Sequence, residues 1–120
     1  MHVNEVKYFD VIPIDSYGPG FFRVGGKIFK GAIVCSRFGV SSWGGYKDFK
    51  SLKNLENKFD ILFLGTGHEI CHIPEDFNKK IGKIGLNLEI MSTPSACRTY
   101  NVLLSEGRRI AIAALAVEGR

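Results

Sequence analysis

Three short apolar runs constrain this chain more than anything else in it: Ile61-Leu62-Phe63-Leu64, Leu86 to Met91, and Ile110 to Val117. The first and last are apolar at every position, as strands buried on both faces are; in the middle run Leu86, Leu88 and Ile90 alternate with Asn87, Glu89 and Met91. Between them the period changes. Phe77, Ile81 and Ile84 recur at helical spacing behind Pro74, and Ala96, Tyr100, Leu103 and Leu104 do so behind Thr93-Pro94, with Gly85 and Gly107 placed to stop each helix. Strand, helix, strand, helix, strand reads as α/β, with a short parallel β-α-β-α-β half joined by right-handed crossovers.

The residues before position 60 carry a different pattern. Phe21 to Val24 and Lys27 to Lys30 flank Gly25-Gly26, and two adjacent glycines suit a tight hairpin that needs positive φ. Gly31 to Arg37 continues as an apolar strand, and Phe38-Gly39 turns it into Val40-Ser41-Ser42-Trp43, so an N-terminal antiparallel β unit is expected. Asp48 then caps a helix whose Phe49, Leu52, Leu55 and Phe59 form one apolar stripe. With 120 residues and 45% hydrophobic content, the chain has material for one core, and residues 1–120 are expected to form a single domain.

Charge and cysteine usage exclude several classes. A net charge of +4 permits an acidic partner, yet the lysines of residues 47–58 and 79–83 are interleaved with acids, as on solvated helix faces. No basic module with interleaved exposed aromatics points to nucleic acid. Cys35, Cys71 and Cys97 form neither an even set nor a CxxC pair, so reduced, mostly buried thiols are expected. No run approaches the roughly 20 apolar residues that span a bilayer, which leaves at most a membrane-associated partner. The N-terminus lacks the basic and apolar regions of a leader, and a cytoplasmic location is expected.

If the three apolar strands are parallel, the loops at Gly65-Thr66-Gly67 and Ser92-Thr93-Pro94 leave the same sheet edge, where α/β proteins hold their ligands. That geometry gathers Gly65, Thr66, Gly67, Thr93, Cys97 and Arg98 into one candidate crevice, with Thr93 as the helix cap. Gly65-Thr66-Gly67 begins like a dinucleotide fingerprint, but Ile70 holds the place of the third glycine and the helix starts only near Pro74, so no cofactor is expected. His68, Cys71 and His72 are ligand types in one loop without a second cluster, and no metal is expected. Cys97, in the first turns of the last helix beside Arg98, is the best nucleophile in the chain. It has no histidine placed to serve as base, and the packed-thiol reading is preferred. Trp43 and Tyr46, beside Gly44-Gly45, fall outside the core stripes and are expected in an exposed loop that anchors a protein partner.

The run Met91-Ser92-Thr93-Pro94-Ser95-Ala96-Cys97-Arg98-Thr99-Tyr100-Asn101-Val102-Leu103-Leu104-Ser105-Glu106-Gly107-Arg108 resembles the small domain family, long catalogued as of unknown function, that includes the mitochondrial assembly factor three of respiratory complex I. Tyr17-Gly18-Pro19-Gly20-Phe21, Phe29-Lys30-Gly31, Trp43 and Gly65-Thr66-Gly67 extend the resemblance across nearly the whole chain. It implies a three-layer α/β sandwich with added β-structure, no established enzymatic activity, and, for the mitochondrial members, a chaperone-like role in building NADH:ubiquinone oxidoreductase with other assembly proteins. Lacking their N-terminal extension, the chain looks like a bacterial member. The expected function is therefore a non-catalytic interaction domain, possessing no cofactor, whose partner is a respiratory-complex subunit or assembly protein; the alternative is a small-molecule or anion site, or an unrecognised enzyme, in the crevice.

Overall fold

The computed structural model describes residues 12–118, which form two sheets and three α-helices. Strands β1 (Ile14–Gly18), β2 (Phe21–Val24) and β3 (Lys27–Lys30) make an antiparallel sheet in that order. The second sheet comprises β4 (Ile33–Ser36), β5 (Gly39–Ser42), β6 (Ile61–Gly65), β7 (Asn87–Met91) and β8 (Ile110–Ala114), in the order β5-β4-β8-β6-β7. Strand β6 is parallel to both β7 and β8, and β4 joins β8 antiparallel. The helices are α1 (Lys50–Lys53), α2 (Glu75–Lys83) and α3 (Thr93–Ser105).

The parallel half follows the sequence pattern closely, because each strand is covered twice. On β6, Leu62 and Leu64 pack with Phe77, Ile81 and Leu52 on one face, while Phe63 packs with Tyr100 and Ile112 on the other. On β8, Ala111 and Ala113 face the first cluster and Ile110, Ile112 and Ala114 the second. Three layers result: α1 and α2, then the five-stranded sheet, then α3 beside the small sheet, whose Phe22 and Val24 enter the same cluster as Tyr100. The connection from β6 to β7 runs through α2 on one face and that from β7 to β8 through α3 on the other. Reversing the direction of travel along the sheet while keeping right-handed crossovers requires this.

The first half departs from expectation in two ways. The hairpin is as expected, with Gly25 at φ 59° and Gly26 at φ 81°, conformations that side chains resist. The single antiparallel unit, however, splits: β4 and β5 leave the hairpin and extend the parallel sheet through β8. All four β4 residues are buried, and only the central sheet offers them cover on both faces. The small sheet recruits β1 instead, whose burial on one residue of five and whose irregular register between Ile14 and Ser16 hide any alternation. The helix expected from Asp48 to Phe59 is also much shorter. Asp48 does accept from the Ser51 amide at 3.2 Å, but α1 ends at Lys53 and Asn57 sits at φ 67°, as asparagine tolerates better than most residues. Leu52, Leu55 and Phe59 are buried all the same. Pro74 precedes the first turn of α2 as its extended cap residue. No helix among the described residues is long and apolar enough to cross a membrane.

Candidate functional site

At the carboxyl ends of β6 and β7 the two outgoing connections diverge to opposite faces of the sheet, the arrangement that leaves a ligand crevice in open α/β folds. Here the protein fills that place itself. The Thr93 hydroxyl donates to the Leu115 carbonyl at 2.6 Å and accepts from the Gly67 amide at 2.9 Å, while the Thr93 amide donates to the Gly67 carbonyl at 2.7 Å. The Thr66 amide donates to Met91 O at 2.9 Å, and its hydroxyl donates to Glu69 O at 2.8 Å and accepts from the Cys71 amide at 3.0 Å. A side chain on Gly65 would lie 2.7 Å from Thr93 Oγ1 and 2.9 Å from its Cα, so this glycine permits the close approach of helix and strand. Thr66, Gly67 and Thr93 are buried, and their amides are turned to the protein's own carbonyl and hydroxyl oxygens.

Thr93 is therefore not the cap of α3. Ser92 holds that position, with its hydroxyl accepting from the Ser95 amide at 3.4 Å, which frees Thr93 to tie loop to helix. Cys97 and Arg98 diverge from the crevice as well. Cys97 is 4% exposed, in the same core cluster as Cys35, and Arg98 is exposed with a guanidinium nitrogen 3.3 Å from Ser95 Oγ. Burial pushes the Cys97 thiol up to about 12, the nearby Cys35 adds to that, and Arg98 offsets only part of it. The thiol is protonated at neutral pH, and the helix N-terminus does not make a nucleophile of it.

The rest of the signature run has structural work of a definite kind. Tyr100 is fully buried; its hydroxyl donates to Ile12 O at 3.1 Å and lies 3.4 Å from Cys35 Sγ. Asn101 accepts from the Ile14 amide and donates to the Ile14 carbonyl, both at 2.9 Å, and so supplies a side-chain substitute for strand pairing at the start of β1. Cys35, like Cys97, is desolvated, and its thiol rises to about 11, the hydrogen bonds from Tyr100 and Ser36 opposing the rise. Since both thiols start from an ordinary 9.0, the folded chain holds these protons more tightly than the unfolded one. The stability they contribute is whole below pH 9 and is lost as pH rises through about 11 and 12. Melting temperature is accordingly expected to fall steadily above pH 9, and a thiol reagent at neutral pH to modify exposed Cys71 at once but Cys35 and Cys97 only on unfolding. Rapid labelling of all three in the folded chain would refute this assignment.

The open surface lies on the α2 side of the same sheet edge. A groove of about 610 Å³ runs between the Gly44–Lys47 turn and α2, lined by Tyr46, Lys47, Phe77, Lys80 and Leu115 among others. A second, of about 520 Å³, is bounded by Ile70, Cys71, His72 and Ile90. Trp43, expected to be exposed, is 4% exposed: its ring packs against Phe77 and its indole nitrogen donates to Asp48 O at 3.0 Å. Gly45, at φ 84°, turns the chain just after it. Tyr46 is half-buried, edge-on to Phe77 at 5.1 Å, and its hydroxyl titrates higher than usual through burial and the nearby Cys71. Ile70, which in sequence only interrupts the glycine pattern, is 63% exposed; an isoleucine among His68, Glu69, Cys71 and His72 is the signal it leaves there. His68, Cys71 and His72 are all exposed, and among the described residues no group of three or more ligand-type side chains is placed to hold a metal ion.

Residues 14–115 match the family model described as protein of unknown function (DUF498/DUF598). An uncharacterized protein of Rhodobacter capsulatus is 40% identical over 119 residues, covering 99% of this chain and 96% of that one. NADH dehydrogenase (ubiquinone) 1 alpha subcomplex assembly factor 3 of Danio rerio is 33% identical over 109 residues, 85% of this chain; the match spans only 62% of the fish protein's length. Among solved structures, an outer membrane protein from Bartonella henselae superposes with a TM-score of 0.80 at 32% identity, covering 90% of this chain and 97% of that one.

Proposed function

The chain belongs to the DUF498/DUF598 family of proteins of unknown function, and from that premise we propose that it is a non-catalytic, chaperone-like interaction domain of the bacterial cytoplasm that aids assembly of respiratory complex I. The observation that carries this reading is the kinship with assembly factor 3 over 85% of the chain. Two features of the site support it. The crevice donors are engaged internally, and the Cys97 thiol on α3 is protonated and buried, so neither an anion site nor a Cys97 nucleophile is the better use of that edge. The partner is assigned to the α2 side, where Tyr46 and Ile70 present apolar surface beside open grooves.

Deleting the gene in a bacterium that carries it is expected to lower NADH:quinone oxidoreductase activity in isolated membranes and to leave partly assembled complex I on native gels. Tagged protein is expected to retain a complex I subunit or another assembly protein, and Ile70→Asp, at an exposed site that should tolerate it, to lose that partner while melting as the native chain does. Full complex I content in the deletion strain sinks the proposal.

A further inference from the structure

Beyond that edge, the outer face of the small sheet has the character of a second recognition surface. The two-residue Gly25-Gly26 turn sets Val24 opposite Lys27, Arg23 opposite Ile28 and Phe21 opposite Lys30. Cross-strand partners share a face, so Arg23, Ile28, Phe21 and Lys30 stand together on the side away from Phe22, which is buried in the core. Between them lies a groove of about 280 Å³ lined by Pro19, Gly20, Phe21, Ile28 and Lys30. Ile28 is 47% exposed. Among the described residues Arg23, Lys27 and Lys30 have no acidic partner, and the nearest acid in this sheet, Asp15, accepts from the Gly26 amide at 3.0 Å.

Strand β3 is also an edge of its sheet. In a two-residue hairpin the pair flanking the turn is the hydrogen-bonded one, so the main-chain groups of Ile28 and Lys30 point away from β2. The Gly31 amide bonding Gly20 O at 2.8 Å continues that alternation. No other strand pairs with β3 among the described residues. Lysines on an edge ordinarily discourage pairing between copies of one chain, since like charges would meet. The same charges favour a strand of opposite sign.

We propose that β3 accepts an extended acidic segment of a partner protein as a fourth strand. Its main chain bonds to Ile28, an apolar side chain enters the groove beside Phe21 and Ile28, and flanking carboxylates meet Lys30 and Arg23. A discrete groove beside a free strand edge matches a peptide better than a lipid surface, which needs a broad apolar face. The proposal rests on the reading of the chain as an interaction domain and adds the chemistry of a partner.

The test uses the full chain and a short fluorescein-labelled peptide with glutamate, valine and glutamate at every second position and threonine between them, so that the apolar and acidic side chains share one face of the strand. Anisotropy is expected to show saturable binding that weakens with salt and falls on the order of tenfold or more in the Arg23→Glu, Lys30→Glu double variant. Lys83→Glu, on α2 in the opposite layer, is expected to leave it unchanged. The same peptide with N-methylated alternate residues is expected to lose binding in the register that removes the amides facing β3. Absence of binding, indifference to the double charge reversal, or indifference to N-methylation in both registers overturns the proposal. So does charge-sensitive binding to phosphatidylserine vesicles in place of the peptide. In the capture experiment above, the charge-reversed chain is expected to lose a partner that the native chain retains. If it keeps every partner, the acidic-strand proposal fails and the interaction reading stands; if the native chain captures no partner, the interaction reading fails and the peptide titration alone decides.

Discussion

Tyr100→Ala is expected to lower stability by about 3–5 kcal/mol, the range for removing a large buried aromatic side chain. Tyr100 is fully buried between the sheet and the start of the described chain, in contact with the cluster that contains Phe63, Ile112 and Phe22. Its loss opens a cavity and leaves the Ile12 carbonyl, which the hydroxyl now satisfies at 3.1 Å, with only the weak Cys35 thiol donor at 3.6 Å. Tyr100→Phe separates the two effects: it keeps the packing and removes only the hydroxyl, at an expected cost of about 1–2 kcal/mol. Urea denaturation at pH 7 measures both. If the alanine variant unfolds within about 1 kcal/mol of the native chain, the residue does not hold this core together, and a functional reason for the Tyr-Asn pair in the signature would have to be sought.

The second large effect is expected at Thr93. Thr93→Val preserves shape, since the two side chains are nearly isosteric, but takes away the one atom that joins Gly67, Leu115 and helix α3. A buried amide and a part-buried carbonyl lose their partner, and a loss of about 2–3 kcal/mol follows, most of it from the Gly67 amide. Thr93→Ser keeps the hydroxyl and is expected to retain most of the stability. Hydrogen exchange gives the sharper reading: the Gly67 amide should exchange far faster in the valine variant than in the serine variant. Equal protection in the two would mean that water or a rearranged loop replaces the hydroxyl, and the clamp would not be what closes the crevice.

These two residues explain why the most distinctive part of the sequence looked like a site. Threonine, cysteine and arginine at a helix N-terminus, next to a glycine loop after a buried strand, are also what a close helix-to-strand contact requires. Gly65 gives room, Thr93 bonds across the gap, Ala96 and Cys97 are small enough to pack against the sheet, and Tyr100 and Asn101 reach over to Ile12 and Ile14. The local pattern does not distinguish a cradle for an anion from one for the protein's own carbonyls. Three-dimensional hydrogen bonding does.

Sequence alone determined the elements whose signal is local. The continuous apolar runs of β6 and β8 marked strands with two buried faces, the helical spacing behind Pro74 and Thr93 marked α2 and α3, and Gly25-Gly26 marked the hairpin. In each case the pattern repeats over a few residues and needs no distant partner to be read. Tertiary structure decided whatever depends on who covers whom. β4 abandons its hairpin neighbours because only β8 and the two helical layers bury all four of its side chains, and Trp43 turns inward because Phe77, over thirty positions later, is there to receive it. The crevice is closed for the same reason: the acceptor that Thr93 satisfies belongs to Leu115, beyond the last strand, and only the completed sheet brings the two within 2.6 Å.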